Sequence, residues 1–173
     1  LTQQLDWANR MNLQPWIHAT SLGGHPDAEH VRQPDTSDPE YRLGLEDKLR
    51  SVAAVSKNYS PLFYSLGDET IIGPREAHPT GAEQGAFRVF LEAKHKKIEA
   101  LNKVWQSDYK QWKDVVIPSS DDLRGDKTNS RMRHELWAFR NTQFADLIGT
   151  GVKAVRSVDP GAAVGIEGIF GLG

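Results

Sequence analysis

The sequence predicts an α/β fold in which parallel strands alternate with helices. Three observations carry this. Apolar residues recur at helical spacing in four separate segments. Between those segments lie short apolar runs, each closed by a polar or glycine-containing break. The resulting order is helix, strand, helix, strand, helices, strand. Strands separated by helices imply crossover connections and parallel neighbours.

The elements follow in chain order. Leu5, Ala8 and Met11 lie about one turn apart and read as the end of a helix, with Asn12 as its stop. Gln14-Pro15-Trp16-Ile17-His18-Ala19-Thr20 reads as a short strand, and Gly23-Gly24-His25-Pro26 opens a polar loop. Ser37-Asp38-Pro39-Glu40 supplies a capping side chain, a proline near the first helical position and an acid in the first turn. The helix it starts presents Tyr41, Leu45, Leu49, Val52 and Val55 to a core, and Asn58 ends it. Residues 61–66 form the next strand and 70–85 a loop rich in proline and glycine. Helical spacing returns with Phe87, Phe90, Leu91, Ile98, Leu101 and Trp105, and His95-Lys96-Lys97 divides it. Residues 112–126 read as irregular. A long helix over 133–157 presents Leu136, Phe139, Phe144, Leu147, Ile148, Val152 and Val155, with Gly149 and Gly151 weakening it locally. Asp159-Pro160-Gly161 ends it, and 162–166 is the last strand.

Bulk properties exclude several classes of function. The 173 residues suffice for one core. A formal net charge of −2 implies no general affinity for polyanions, so no nucleic-acid partner is expected. There is no cysteine, hence no disulfide and no thiolate metal site. No apolar run approaches the length of a membrane span, and no membrane partner is expected. His25, Asp27, Glu29 and His30 match no strong ligand spacing, and Asp121, Asp122 and Asp126 do not follow the calcium-loop pattern. Neither metal nor cofactor is expected. The compartment is not legible. The chain opens at Leu1-Thr2-Gln3-Gln4 and closes on a glycine-rich stretch, which reads as a piece of a longer protein.

The candidate site comes from position. Tyr64-Ser65-Leu66-Gly67-Asp68-Glu69-Thr70 takes an apolar strand straight into two adjacent carboxylates. Buried charge is costly, so the pair marks a strand emerging into a site, or else a capped loop binding backbone N–H groups. In parallel α/β folds, sites gather where strands end. Glu167 lies at another strand end, between Gly165 and Gly168. It reads as a contact for hydroxyls, as an orienting group for Glu69, or as a solvated loop acid. His18 closes the first strand, as a binding residue or a satisfied structural histidine. Trp112 is the tryptophan best placed in a loop to stack on a ligand, whereas spacing puts Trp105 and Trp137 in the core. Lys94-His95-Lys96-Lys97 reads as a solvated helix face.

Gly67-Asp68-Glu69 resembles the acid/base position of clan A glycoside hydrolases. Phe87-Arg88-Val89-Phe90-Leu91, Ile98-Glu99-Ala100-Leu101-Asn102-Lys103-Val104-Trp105, Trp112 and Pro118, and later Asp159-Pro160 with Val164-Gly165-Ile166-Glu167-Gly168, resemble glycoside hydrolase family 42. The resemblance implies a partial (β/α)8 TIM barrel covering about strands three to five with their helices, so that residues 1–173 are the central segment of a catalytic domain. It implies a β-galactosidase-like retaining hydrolase acting on a carbohydrate, with Glu69 as general acid/base. Asp68, Glu167, His18 and Trp112 would bind substrate, the nucleophile would lie outside this sequence, and the segment alone would be inactive.

The chain departs from that family at three places. Asp68 stands where the family has Asn, Gln106 where it has Gly, and His95-Lys96 where it has Tyr-Gly. Ionised Asp68 accepts a hydroxyl hydrogen bond but donates none. Its charge favours the protonated form of Glu69, which suits a general acid. The same departure supports an alternative, a non-catalytic carbohydrate-binding or scaffolding barrel derived from such enzymes.

Overall fold

The computed structural model describes residues 1–22, 25–26, 32–33, 35–68, 78–124 and 129–168. Its helices are α1 (Thr2–Arg10), α2 (Pro39–Ser56), α3 (Gly81–His95), α4 (Ile98–Trp105), α5 (Ser120–Arg124) and α6 (Ser130–Arg156). Its strands are β1 (Trp16–His18), β2 (His25–Pro26), β3 (Arg32–Gln33), β4 (Phe63–Asp68) and β5 (Val164–Glu167). The chain divides into two compact units. The first holds residues 1–24, 39–71 and 145–173, the second 25–38 and 72–144.

The first unit is built on a parallel sheet of order β1-β4-β5, as the alternation of helices and strands predicts. Ile17 pairs with Tyr64, and Tyr64 with Val164, so these three share a face. Ile17, Tyr64 and Leu66 are almost completely buried. They face helices: a Cβ on Gly151 of α6 would stand 2.7 Å from Leu66 Cδ1 and 3.4 Å from Leu49 Cδ1 of α2. Gly151 is therefore a contact point, and its lost helix propensity is offset by the close approach of strand and helix. Tyr64 also donates a hydrogen bond from its hydroxyl to Asp159 Oδ2 at 3.1 Å, fixing β4 to the turn before β5. Burial first, then the Asp159 contact, raises the Tyr64 pKa well above the ordinary phenol value.

The second unit has its own core of Phe87, Leu91, Leu101, Trp105, Val115, Ile117, Leu136 and Phe139. The irregular segment after Trp112 lies against α3. Gln84 Oε1 accepts from the Ile117 N–H at 2.8 Å, and Arg88 Nε donates to the Val115 carbonyl at 2.8 Å. These contacts satisfy backbone groups that no helix or sheet ladder takes. After α4 the chain turns through Gln106 at φ 56°. Asn102 closes the turn, accepting from Ser107 Oγ at 2.9 Å and the Tyr109 N–H at 3.0 Å, and donating to the Tyr109 carbonyl at 2.8 Å.

Several sequence expectations change. α3 starts at Gly81, inside the stretch expected to be loop, because the Thr80 hydroxyl accepts from the Glu83 N–H at 2.9 Å and caps it. Within 112–126, expected to be irregular, α5 forms at Ser120–Arg124. Val55 is 38% exposed, its place facing inward taken by Ala53 and Ser56. Trp137 is 52% exposed and stacks on His134, so it is not a core residue. His95 is not solvated. Its side chain is buried against Glu135 at 2.9 Å, and Lys94 Nζ reaches the same carboxylate at 3.0 Å. Other expectations hold: Asn12 takes φ 55° after α1, and α3 and α4 part at Lys96, φ 66°.

Replacing Gly151 by Val forces β4 and α6 apart and lowers stability by about 1–3 kcal/mol. Gly149→Ala, which meets nothing within 4 Å, raises stability by up to about 1 kcal/mol. Gln106→Gly relieves the left-handed backbone and stabilises by up to about 1 kcal/mol. Denaturant unfolding midpoints check all three.

Candidate functional site

Helices cover one face of the sheet. The other carries Trp16 and His18 of β1, Phe63 and Ser65 of β4, and Gly165 and Glu167 of β5, as the pairing requires. Trp16 lies beside Phe63, His18 beside Ser65, and Ser65 beside Gly165. Trp16 is 53% exposed. The His18 side chain is also exposed, and that of Glu167 is partly so.

One irregularity re-aims the end of β4. From Ser65 to Asp68 is three residues, but the matching step on β5, Gly165 to Glu167, is two. The extra residue is a β-bulge, and Gly67 within it takes φ 152°, open to glycine. Without the bulge, Gly67 would stand beside Glu167. With it, Asp68 does. The Ser65 hydroxyl, fully buried, accepts from the Gly67 N–H at 3.2 Å and braces the irregular turn.

Glu167 is the centre of the described site. Trp16 Nε1 donates to Glu167 Oε1 at 3.0 Å, and His18 Nδ1 stands 3.9 Å from the same oxygen. Ser65 first, with Trp16 and the nearby His18 behind it, holds its carboxyl below the ordinary value of 4.5, while desolvation, second in size to Ser65, opposes them. An ionised carboxylate has about four lone-pair sites. It keeps acceptor capacity for a hydroxylated ligand beyond its protein donors.

The structure thus gathers three of the sequence candidates, His18, Asp68 and Glu167, at the C-terminal ends of β1, β4 and β5. Glu69 lies outside the described residues, as do Asp27, Glu29 and His30 of the polar loop. Trp112 belongs to the second unit. It is half-buried in a 3-10 turn, Trp112–Asp114, packed against that unit's core. Sequence reading missed Trp16 and Ser65 as partners of Glu167. Their side chains share its face through strand pairing, which links residues about 100 to 150 positions apart and leaves no local signal. Among the described residues, no group of three or more His, Asp or Glu side chains is placed to hold a metal ion, and no helix is long and apolar enough to cross a membrane.

Comparisons with known proteins bear on this geometry. Residues 28–168 match the model of glycoside hydrolase family 42, described as beta-galactosidase. No curated protein matches the chain. Among solved structures, a beta-galactosidase from Rahnella sp. R3 superposes with a TM-score of 0.70 at 19% identity, over 94% of this chain and 26% of that one. One from the psychrophilic Marinomonas ef1 gives 0.73 at 17%, over 94% of this chain and 28% of that one. An exo-carrageenase of family 42 from Bacteroides ovatus gives 0.60 at 23%, over 76% and 19%. The chain spans about a quarter of the length of the beta-galactosidases it matches. The fold is accordingly a partial α/β barrel.

Glu167 has its pKa lowered by folding. Its contacts therefore stabilise the fold above the unfolded carboxyl value, and this contribution is lost as pH falls through the folded one. Stability falls as pH drops below the ordinary carboxyl value of 4.5, and Glu167→Gln flattens that part of the profile. Unfolding midpoints measured across the acid range check this.

Proposed function

The chain belongs to glycoside hydrolase family 42, and from that premise we propose that it supplies the acid/base half of a retaining β-galactosidase-like site. The observation that carries the reading is the meeting of His18, Asp68 and Glu167 at the ends of parallel strands, on the sheet face opposite Leu66 and Gly151 of α6. Glu69 follows Asp68 directly in sequence. As general acid it transfers its proton to the departing glycosidic oxygen while a carboxylate from outside this sequence attacks the anomeric carbon. The resulting carboxylate of Glu69 then takes a proton from water, whose oxygen displaces the enzyme carboxylate and releases the sugar. Asp68 keeps Glu69 protonated by like-charge repulsion and accepts from a sugar hydroxyl. Glu167 and His18 bind further hydroxyls.

Glu167 is not assigned the nucleophile. It is already committed to the Trp16 N–H. The 173 residues alone are inactive on this reading, since one half of the carboxyl pair is missing. Asp68 in place of Asn is the one observation favouring a non-catalytic sugar-binding barrel instead.

The test is Glu69→Gln in the full-length protein, assayed on aryl β-galactosides. Turnover of substrates with poor leaving groups falls by about 10²–10⁴-fold, and that of activated ones falls far less. Undiminished turnover of the poor leaving groups would end the assignment. Sugar binding without any turnover by the unaltered protein would favour the binding module.

A further inference from the structure

We propose that Trp16 is a positioning residue for Glu167, holding the carboxylate in one orientation on the open face of the sheet. Trp16 enters β1 beside Phe63, and their ring centroids lie 4.9 Å apart. Phe63 in turn fills the space over Gly165, where a Cβ would come within 3.3 Å of the Phe63 ring. A side chain at 165 would press on Phe63 and disturb the ring that supports Trp16. The sequence thus forms a stack: a glycine on β5, a phenylalanine on β4, and a tryptophan on β1 whose N–H reaches back to Glu167 Oε1 at 3.0 Å.

The chemistry of the partners supports a positioning role over mere packing. Trp16 is 53% exposed, so its ring contributes limited burial. Indole is a donor only, with a single fixed N–H direction. A bond from that donor to a charged acceptor is directional, and it fixes one oxygen while Ser65 and His18 approach the same group. Trp16 touches no reacting atom on this reading and acts only through Glu167. The proposal extends the reading of Glu167 as a substrate-binding group, and the experiment separates the two.

In protein labelled with 15N at the tryptophan indoles, the Trp16 Nε1–H resonance shifts with pH at a midpoint below 4.5, and Glu167→Gln abolishes that shift. An indole resonance flat across the acid range overturns the proposal, and this measurement needs no Trp16 variant to fold. Trp16→Phe keeps the ring contact with Phe63 and removes the donor. In that variant the Glu167 carboxyl titrates closer to its ordinary value, and in the full-length protein KM for an aryl β-galactoside rises by about 5–10-fold with kcat changed less than about twofold. An unchanged Glu167 titration in a folded Trp16→Phe protein overturns the proposal. A shifted titration with unchanged KM upholds the positioning role and removes Glu167 from substrate binding.

Discussion

The first unit depends on helices covering the β1-β4-β5 sheet from one side. In a strand, successive side chains point to opposite faces. Packing Leu66 against α2 and α6, with Ile17 and Tyr64 buried on the same face, therefore commits Trp16, His18, Phe63 and Ser65 to the other face, whatever their chemistry. A doubly covered parallel sheet would need apolar residues on both faces. This one alternates: apolar against the helices, aromatic and polar opposite. The same constraint that builds the core also gathers the chemistry.

The polar face is kept in order by pairing. Glu167 would be an awkward neighbour for Phe63 and Trp16 if it stood alone, because a half-buried carboxylate without donors is strongly disfavoured. Trp16 reaches across from β1 to supply a donor, with His18 of β1 and Ser65 of β4 close by. The second unit treats a buried acid in the same way. Glu135 is almost wholly buried, and His95 and Lys94 converge on it. In both units a carboxylate is accommodated by groups brought from other elements.

The elements were legible in the sequence where local chemistry decides them. Pro39 and Glu40 set the start of α2, Asn12 ended α1, and the lysines after His95 parted α3 from α4. Thr80 carried a readable cap three residues before Glu83, and the glycines and prolines around it obscured that signal. What stayed hidden was decided by distant partners. Trp137 has core spacing yet lies exposed against His134, and His95 sits in a basic cluster yet is buried because Glu135 is opposite. Of the site, the strand-end carboxylates were visible as charges following apolar runs. The Trp16 and Ser65 contacts were not, since they exist only once β1, β4 and β5 are in register.

The additional residue at Gly67 has a consequence for how this chain compares with its kin. Before it, odd-numbered positions of β4 look toward the open face; after it, even-numbered ones do. The alternation of faces along β4 changes parity at this spot. A lineage that dropped or gained one amino acid here would exchange the outlook of every later side chain on the strand while leaving the packed interior upstream intact. Chemistry at the strand's tip can thus be retuned by a single indel, without redesigning the scaffold beneath it.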